Sequence, residues 1–124
     1  MPQSGFTQMD RAQFDECIAM LRSSDAMTYE DGYHGLQDHL GEYLEDLITL
    51  TLKENDPKMR ERFVELLGDS KDPLVIPHLQ RELAHPARRV REWAYSGLRN
   101  LGHARAEEIA AAYARDNPQE DFVQ

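Results

Sequence analysis

The chain repeats a helical segment after 31 residues. The stretch from Met59 to Leu67 aligns with the stretch from Val90 to Leu98, and in both copies Arg-Glu follows an apolar residue. Each copy comes after a long amphipathic stretch and an Asp-Pro or His-Pro turn, so the repeating unit is a pair of helices. A period of this length is typical of helical solenoids, in which each pair buries its apolar stripe only against neighbouring pairs.

Helical patterns dominate the chain, and no stretch has the period-2 alternation of β-branched residues that a strand requires. The sequence therefore predicts an all-α protein. Residues 28–35 give no clear prediction, because Gly32 and Gly35 follow a weak capping pattern of Thr28 and Asp31. Apolar spacing and flanking Pro, Gly and N-cap residues place the helices at about Thr7–Arg22, Leu36–Glu54, Pro57–Leu67, Pro73–Leu83, Pro86–Leu101 and Ala104–Arg115.

Two helical motifs lie between residues 72 and 102. The first is an apolar-Pro-x-x-Leu motif in Ile76-Pro77-His78-Leu79, which follows Asp72-Pro73-Leu74-Val75. The second comes after His85-Pro86 and has Val-Arg-x-x-Ala in Val90-Arg91-Glu92-Trp93-Ala94, followed by Gly97-Leu98 and Leu101-Gly102. On these motifs the sequence resembles the HEAT-repeat family, specifically a small stand-alone bacterial HEAT-like protein. Residues 36–68 resemble a more divergent repeat, and Ala104–Arg115 resembles a terminal half-repeat.

This resemblance implies a short right-handed α-solenoid of HEAT-like helix pairs with an N-terminal capping helix. We expect one domain over residues 1–124, in which 1–27 form the capping helix and a connection, 28–118 the helical repeats and 119–124 a mobile tail, with the alternative that Phe122 folds back on the domain. The capping role is expected because Phe14, Ile18 and Leu21 form an apolar face on the one upstream helix available to cover the first edge of the solenoid.

The resemblance also implies an Asp–Arg ladder between repeats. In HEAT proteins an Asp at the turn between the helices often pairs with the Arg of the second helix. Asp56 and Arg60 fit this pattern, whereas His85 stands in place of the Asp before Arg91. We therefore expect a ladder that is broken or pH-sensitive at the second step.

Negative charge is concentrated in the first half of the chain. The net charge of the 124 residues is −9, and residues 1–56 carry all of this excess with 12 acidic and 3 basic side chains, whereas residues 57–124 carry 11 of each. An acidic field repels phosphate backbones and attracts cationic partners, which argues against nucleic acid as a partner. No apolar run approaches the length of a membrane span and no secretory signal opens the chain, so we expect no membrane partner and a cytoplasmic location.

The sequence lacks the motifs of known catalytic sites. It has no Gly-rich phosphate loop, nucleophile elbow or Ser-His-Asp pattern, and Cys17 has no second thiol with which to pair. His39 and Glu42 have the i,i+3 spacing of a metal-ligand pair, but a di-metal helical site needs a second such pair, which is missing. We therefore expect no enzymatic activity, no cofactor and no metal.

Two surfaces are candidates for binding a protein partner. The first is a carboxylate stripe on the predicted helix Leu36–Glu54, opposite its apolar face. Like charges at helical spacing destabilise a helix, so a stripe of them indicates a functional reason for their presence. It consists of Asp38, Glu42, Glu45 and Asp46. The second surface lies on the helix after Pro86 and is rich in Arg and Tyr, which are typical interface anchors. It consists of Arg88, Glu92, Tyr95 and Arg99.

The resemblance to HEAT proteins implies a non-enzymatic protein–protein interaction module. Small size, acidity and a one-sided carboxylate face narrow this to an immunity protein that binds and neutralises a basic bacterial toxin, since an acidic inhibitor associates fast with a basic target. The alternative is a HEAT-repeat scaffold or accessory protein for an enzyme or a cofactor-bearing partner. Nucleic-acid binding through Arg88, Arg89, Arg91 and Arg99 is a third hypothesis, disfavoured by net charge. The sequence leaves the oligomeric state open.

Overall fold

Seven α-helices follow one another through the residues that this computed structural model describes, which are 8–124. No strand occurs in that range, and the all-α prediction is confirmed. A 3-10 turn, Pro73–Val75, leads into the fifth helix, and a second one, Asp121–Val123, follows the last helix. The helices are α1 Arg11–Leu21, α2 Ala26–Gln37, α3 Leu44–Lys53, α4 Pro57–Asp69, α5 Ile76–Glu82, α6 Arg88–Asn100 and α7 Ala104–Asp116.

The helices pack as successive pairs, α1 with α2, α3 with α4 and α5 with α6, and α7 adds to α6. The second helices of neighbouring pairs lie side by side. α4 and α6 approach so closely that a Cβ on Gly68 would lie 3.0 Å from the Cα of Gly97. α4 and α6 thus form one layer of a short helical solenoid, and α2 joins it through side chains, since Tyr33 hydrogen-bonds to Asp69 and Arg62 lies over the ring of Tyr29.

One apolar core runs through all the helix pairs. Its fully buried side chains come from the faces that helical spacing selects, and they include residues of α1, α2, α3, α4, α5 and α6. The largest of them are Phe14, Leu21, Leu36, Leu47, Phe63, Leu66, Leu67, Leu79 and Leu98.

The predicted helix Leu36–Glu54 is wrong, because a turn interrupts it between α2 and α3. The amide of His39 donates to the Leu36 carbonyl at 2.9 Å, and the amide of Glu42 donates to the His39 carbonyl at 3.1 Å, which are turn bonds rather than helical ones. Gly41 lies in this turn and disfavours a continuous helix. The turn places the ring of Tyr43 on that of Phe14, with centroids 4.3 Å apart, and so holds α3 against α1.

The helix expected at about Thr7–Arg22 is present as α1, and a second helix, α2, covers residues 28–35, for which the sequence gives no clear prediction. The predicted N-cap Thr7 lies outside the described residues, and α1 begins after Asp10, which forms a capping box with Gln13. Asp25 caps α2 by accepting the amide of Thr28 at 3.0 Å, so the predicted capping pattern of Thr28 and Asp31 is also wrong.

The predicted ladder pair between the side chains of Asp56 and Arg60 does not form. Asp56 caps α4 by accepting the amide of Met59 at 3.0 Å, and Arg60 instead forms a bidentate pair with Glu82 of α5, at 2.9 and 2.6 Å. Arg91 forms the equivalent pair with Glu120, so the ladder continues past His85. The ring of His85 accepts the amide of Ala87 at 3.0 Å, and its pKa is lowered by burial.

Residues 119–124, expected to be a mobile tail, pack against α6 and α7. Glu120 binds Arg91, and the ring of Phe122 stacks on that of Tyr113 with centroids 6.3 Å apart. The mobile tail is therefore wrong and the alternative that Phe122 folds back is confirmed, because the charged and aromatic side chains of the segment match residues on the last two helices.

Candidate functional site

Three carboxylates lie along one side of α4, where Asp69 is exposed and Glu61 and Glu65 are partly buried. Glu61, Glu65 and Asp69 are spaced four residues apart and therefore lie on one face of the helix. This face borders α2 on one side and α6 on the other. We call these three residues the acidic ridge.

The ridge is bordered by aromatic residues of α2. The hydroxyl of Tyr33 donates to a carboxylate oxygen of Asp69, and burial together with this bond raises the pKa of Tyr33. Burial is the largest effect that raises the pKa of Glu65, and the charges of Asp69 and Glu61 raise it further, whereas a hydrogen bond from Tyr33 and the charge of Arg89 lower it without cancelling the rise. The carboxylates of the ridge therefore repel one another, and an added cation would relieve that repulsion.

An Arg stacks over Tyr29, beside the ridge. The guanidinium of Arg62 lies 4.0 Å from the centroid of the Tyr29 ring. Its Nη1 also donates to the carbonyl of Leu21 at 2.5 Å and to that of Ser23 at 3.3 Å. Because its charge is held by these carbonyls and the ring, Arg62 anchors α4 to the α1–α2 connection.

The α6 side of the ridge carries Arg89 and Trp93. Arg89 is an exposed side chain that reaches Glu61 at 3.3 Å. Trp93 is half-buried and lines a crevice with Asp69 and Gly97. Carboxylates next to a partly exposed indole form a surface suited to Lys and Arg side chains, which bind carboxylates by charge and aromatic faces by cation–π contact. The face of Tyr29 already carries Arg62, so the indole of Trp93 is the ring that a partner's cation could contact.

The structure does not place the predicted carboxylate stripe on one helix. Asp38 is the C-cap residue of α2, and Glu42 lies in the turn that follows. Glu45 and Asp46 lie in the first turn of α3, where a carboxylate interacts favourably with the helix dipole. Two of the four carboxylates have intramolecular partners. Glu42 accepts from His39 at 2.8 Å and from the Met9 amide at 3.0 Å, and Asp46 pairs with Arg11 at 3.1 Å.

The hydrogen bond from His39 is the first cause of the lowered pKa of Glu42. The i,i+3 pair considered as a metal site is thus an internal hydrogen bond. Among residues 8–124 no three His, Cys, Asp or Glu side chains are grouped closely enough to hold a metal ion.

The predicted Arg and Tyr surface on α6 is covered by the chain's own C-terminal segment. Tyr95 is only 5% exposed and lies against Phe122, with ring centroids 5.7 Å apart. Arg88 pairs with Glu92 at 3.0 Å and with Asp121, and Arg99 lies 5.8 Å from the centroid of the Tyr95 ring. Tyr95 is therefore covered by the C-terminal segment, and the role of Arg88, Glu92, Tyr95 and Arg99 in binding a partner stays a prediction.

The acidic ridge lies outside the two surfaces that the sequence predicts. Glu61, Glu65 and Asp69 have the same i,i+4 spacing of like charges that drew attention to the stripe, and this signal was available in the sequence. Residues 57–124 have no net charge as a group, so a charge count over this half conceals the local excess of carboxylates on α4. The neighbouring aromatic residues come from α2 and α6 and could not be placed without the fold.

No described helix is long and apolar enough to cross a bilayer. A family model described as HEAT repeats matches residues 44–124, about two thirds of the chain. The match begins at the first residue of α3, which agrees with the helix pairs α3–α4 and α5–α6. Comparison with curated proteins and with solved structures gives no match.

Proposed function

This chain belongs to the HEAT-repeat family, whose repeats mediate protein–protein interaction, and from that premise we propose that it is a binding module for a basic protein partner. HEAT-repeat proteins are typically non-enzymatic scaffolds. We propose that the partner docks on the α2, α4 and α6 layer, with the acidic ridge receiving its Lys and Arg side chains.

The observation that carries this proposal is the clustering of Glu61, Glu65 and Asp69 beside Trp93 and Tyr29. The ridge holds three carboxylates, and Arg89 is the one cation that the described residues pair with it directly. A partner's guanidinium or ammonium group would lower the pKa of Glu65 and replace a repulsion by an attraction. Aromatic rings at the edge add apolar contact area of the kind found at interface hot spots.

The field of the whole chain supports the same partner. The −9 net charge attracts a basic protein over a distance of about a Debye length, roughly 10 Å at ordinary salt. We propose that the predicted stripe residues Asp38, Glu42, Glu45 and Asp46 act at this range, by raising the association rate, rather than as contact residues.

The narrower proposal is an immunity protein that binds and neutralises a bacterial toxin. Toxins that act on nucleic acid carry basic surfaces that bind phosphate, and an acidic protein occupies such a surface by charge complementarity. Fast association matters for such an inhibitor because the toxin must be blocked before it reaches its target.

The test begins with capture of partners from native lysate by the tagged chain at low salt and at about 0.5 M salt, where exposed charges are screened. A ridge variant, Glu61→Gln with Glu65→Gln and Asp69→Asn, is compared with a control variant of equal net charge, Glu16→Gln with Glu107→Gln and Glu108→Gln. The control carboxylates are exposed on α1 and α7. We expect one basic protein to be retained by the wild type and the control and to be lost from the ridge variant.

Growth separates the immunity function from simple binding. Expression of the captured protein alone should stop growth, and co-expression of the wild-type chain should restore it, whereas the ridge variant should not. A captured enzyme or pigment-bearing protein that is harmless on its own would contradict the immunity function and favour the accessory scaffold.

A further inference from the structure

The C-terminal segment binds to its own domain through a carboxylate and an aromatic ring. Glu120 accepts from Arg91 Nε at 2.7 Å and Nη2 at 3.2 Å, and from the hydroxyl of Tyr113 at 2.7 Å. These bonds lower the pKa of Glu120, and burial together with the bond to Glu120 raises that of Tyr113 to about 12. The groove thus holds an ionised carboxylate.

The repeat explains why a carboxylate fits at this point. Arg91 lies 31 residues after Arg60, and the two side chains bind alike, since Nη1 of each donates at 3.0 Å to the carbonyl six residues before it. Arg60 obtains its carboxylate from Glu82 on the next helix, but the residue 31 positions after Glu82 is Tyr113. The last repeat therefore has an Arg without a helical carboxylate partner, and Glu120 supplies the missing group.

The aromatic residue two positions later occupies a second subsite. The Phe122 ring stacks on Tyr113 at an interplanar angle of 8° and contacts Tyr95, and the guanidinium of Arg88 lies 5.5 Å from its centroid. Arg88 also pairs with Asp121 between them. Three successive side chains of the segment, those of Glu120, Asp121 and Phe122, thus each contact a group of complementary charge or an aromatic ring.

The segment is held loosely compared with the core. The Asp121 side chain is 75% exposed, Phe122 and Val123 are only partly buried, and the bond from Tyr95 to the Val123 carbonyl is 3.5 Å long. An adjoining cleft, lined by Tyr95, Arg99 and Ala110 among others, runs beside Val123 and Gln124. Departure of the segment would expose Tyr95, which the aromatic residue of an incoming partner segment would cover again, and the cleft leaves room for that partner's flanking residues.

We propose that this groove of α6 and α7 is a recognition surface for a partner segment with an acidic residue followed two positions later by an aromatic one, and that the chain's own residues 119–124 occupy it until such a segment displaces them. The surface differs from the acidic ridge in location and in charge, since Arg88, Arg91 and Arg99 make it basic. It takes an acidic ligand, whereas the ridge takes a basic one.

The test uses a fluorescent peptide with the sequence of residues 116–124 and the full-length chain. In one variant, Glu120→Gln with Phe122→Ala, the chain's own segment is weakened and the groove is left intact. An intramolecular segment competes at an effective concentration in the millimolar range, so we expect this variant to bind the peptide about tenfold or more tightly than the wild type does. The same two substitutions in the peptide, or Arg91→Ala added to the chain, should abolish binding measured by anisotropy.

On the same samples, circular dichroism and thermal melting show whether the variant is folded, and light scattering shows whether it is a monomer. A folded monomeric variant that binds the peptide no better than the wild type would overturn the proposal and leave the segment as a permanent part of the fold. An unfolded variant would overturn it in the same way. A dimer formed by exchange of the segment would assign the groove to a second copy of the chain instead.

Discussion

Glu82 and Glu65 have opposite pKa shifts although each lies beside other charged groups. Burial acts to raise the pKa of Glu82, but the hydrogen bonds and charges of Arg60 and Arg81 outweigh it and the pKa is lowered. The pKa of Glu65 is raised, since burial and the neighbouring Asp69 exceed the effect of Tyr33 and Arg89. At neutral pH the ionised carboxylate of Glu82 therefore stabilises the fold, whereas that of Glu65 destabilises it.

Glu82→Gln should lower the free energy of unfolding by about 2 kcal/mol at pH 7, because it removes charge from a buried pair with Arg60. A lowered folded-state pKa gives stability that is present above the ordinary Glu value of 4.5 and is lost as pH falls through the folded value. Urea titrations from pH 7 to pH 3 should show the difference from wild type shrinking below about pH 4.5.

The matched control for Glu82→Gln is Glu108→Gln, whose side chain is 69% exposed and 3.5 Å from Arg105. Its effect should stay within about 0.5 kcal/mol at every pH. An equal loss in both variants, or a loss for Glu82→Gln that does not depend on pH, would contradict the assignment.

Glu65→Gln should have the opposite sign and raise stability at pH 7 by less than about 1 kcal/mol. A raised folded-state pKa means that ionisation is more costly in the folded state, and this cost disappears as pH falls through the folded value and then below the unfolded one. The gain should therefore vanish in acid. Destabilisation at pH 7 would show that the bond from Tyr33 outweighs the repulsion from Asp69 and Glu61.

Among individual residues, some contacts can be predicted from the sequence and others cannot. The role of Arg60 and Arg91 as ladder residues was predicted from the motif, but their partners were not. Glu82 and Glu120 come from the following repeat and the C-terminal segment, 22 and 29 residues away, and a lone Glu on a helix gives no sign that it is buried.

At the scale of elements, the helix ends set by Pro were predicted well and those set by packing were not. Asp56 with Pro57 begins α4 as expected, and Asp72 with Pro73 begins the predicted segment, although its first residues form a 3-10 turn and α5 starts at Ile76. The turn at 38–43 was missed because Leu36, Leu40 and Leu47 keep helical spacing and are all buried, so the apolar pattern continues through a break in the backbone.

Gly68→Ala tests the close packing of α4 on α6. The new Cβ would lie 3.0 Å from the Cα of Gly97, and backbone on both sides leaves no flexible side chain to move. We expect a loss of about 1 to 3 kcal/mol despite the better helix propensity of Ala. The control Gly41→Ala has no atom within 4 Å of its Cβ and no positive φ, and it should be neutral or slightly stabilising. Equal melting temperatures for the two variants would contradict the packing.

Phe14→Ala tests whether the N-terminal helix caps the solenoid. Phe14 is 1% exposed and stacks on Tyr43, so its truncation should cost about 3 kcal/mol, seen as a lower urea midpoint in a single transition. The exposed Glu16→Ala on the same helix should leave the midpoint unchanged. A normal midpoint for Phe14→Ala would mean that α1 is a separate arm and not a cap.

At the scale of the whole molecule, the repeat period and the family were recognised from local motifs, since each repeat buries its stripe mainly against its neighbours. The division of charge between the halves was equally visible. The proposed binding surface was not visible in the sequence, because it is formed by side chains of three helices whose relative positions depend on the packing of glycines and on the turn before α3.

The most direct test of the proposed interaction is the association rate of the captured partner with the wild type, the ridge variant and the control variant at low and high salt. At low salt we expect the ridge variant to associate about tenfold more slowly than the control of equal net charge, and at about 0.5 M salt we expect the difference to disappear. Equal rates for the two variants at low salt would show that net charge alone steers the partner and would contradict binding at Glu61, Glu65 and Asp69.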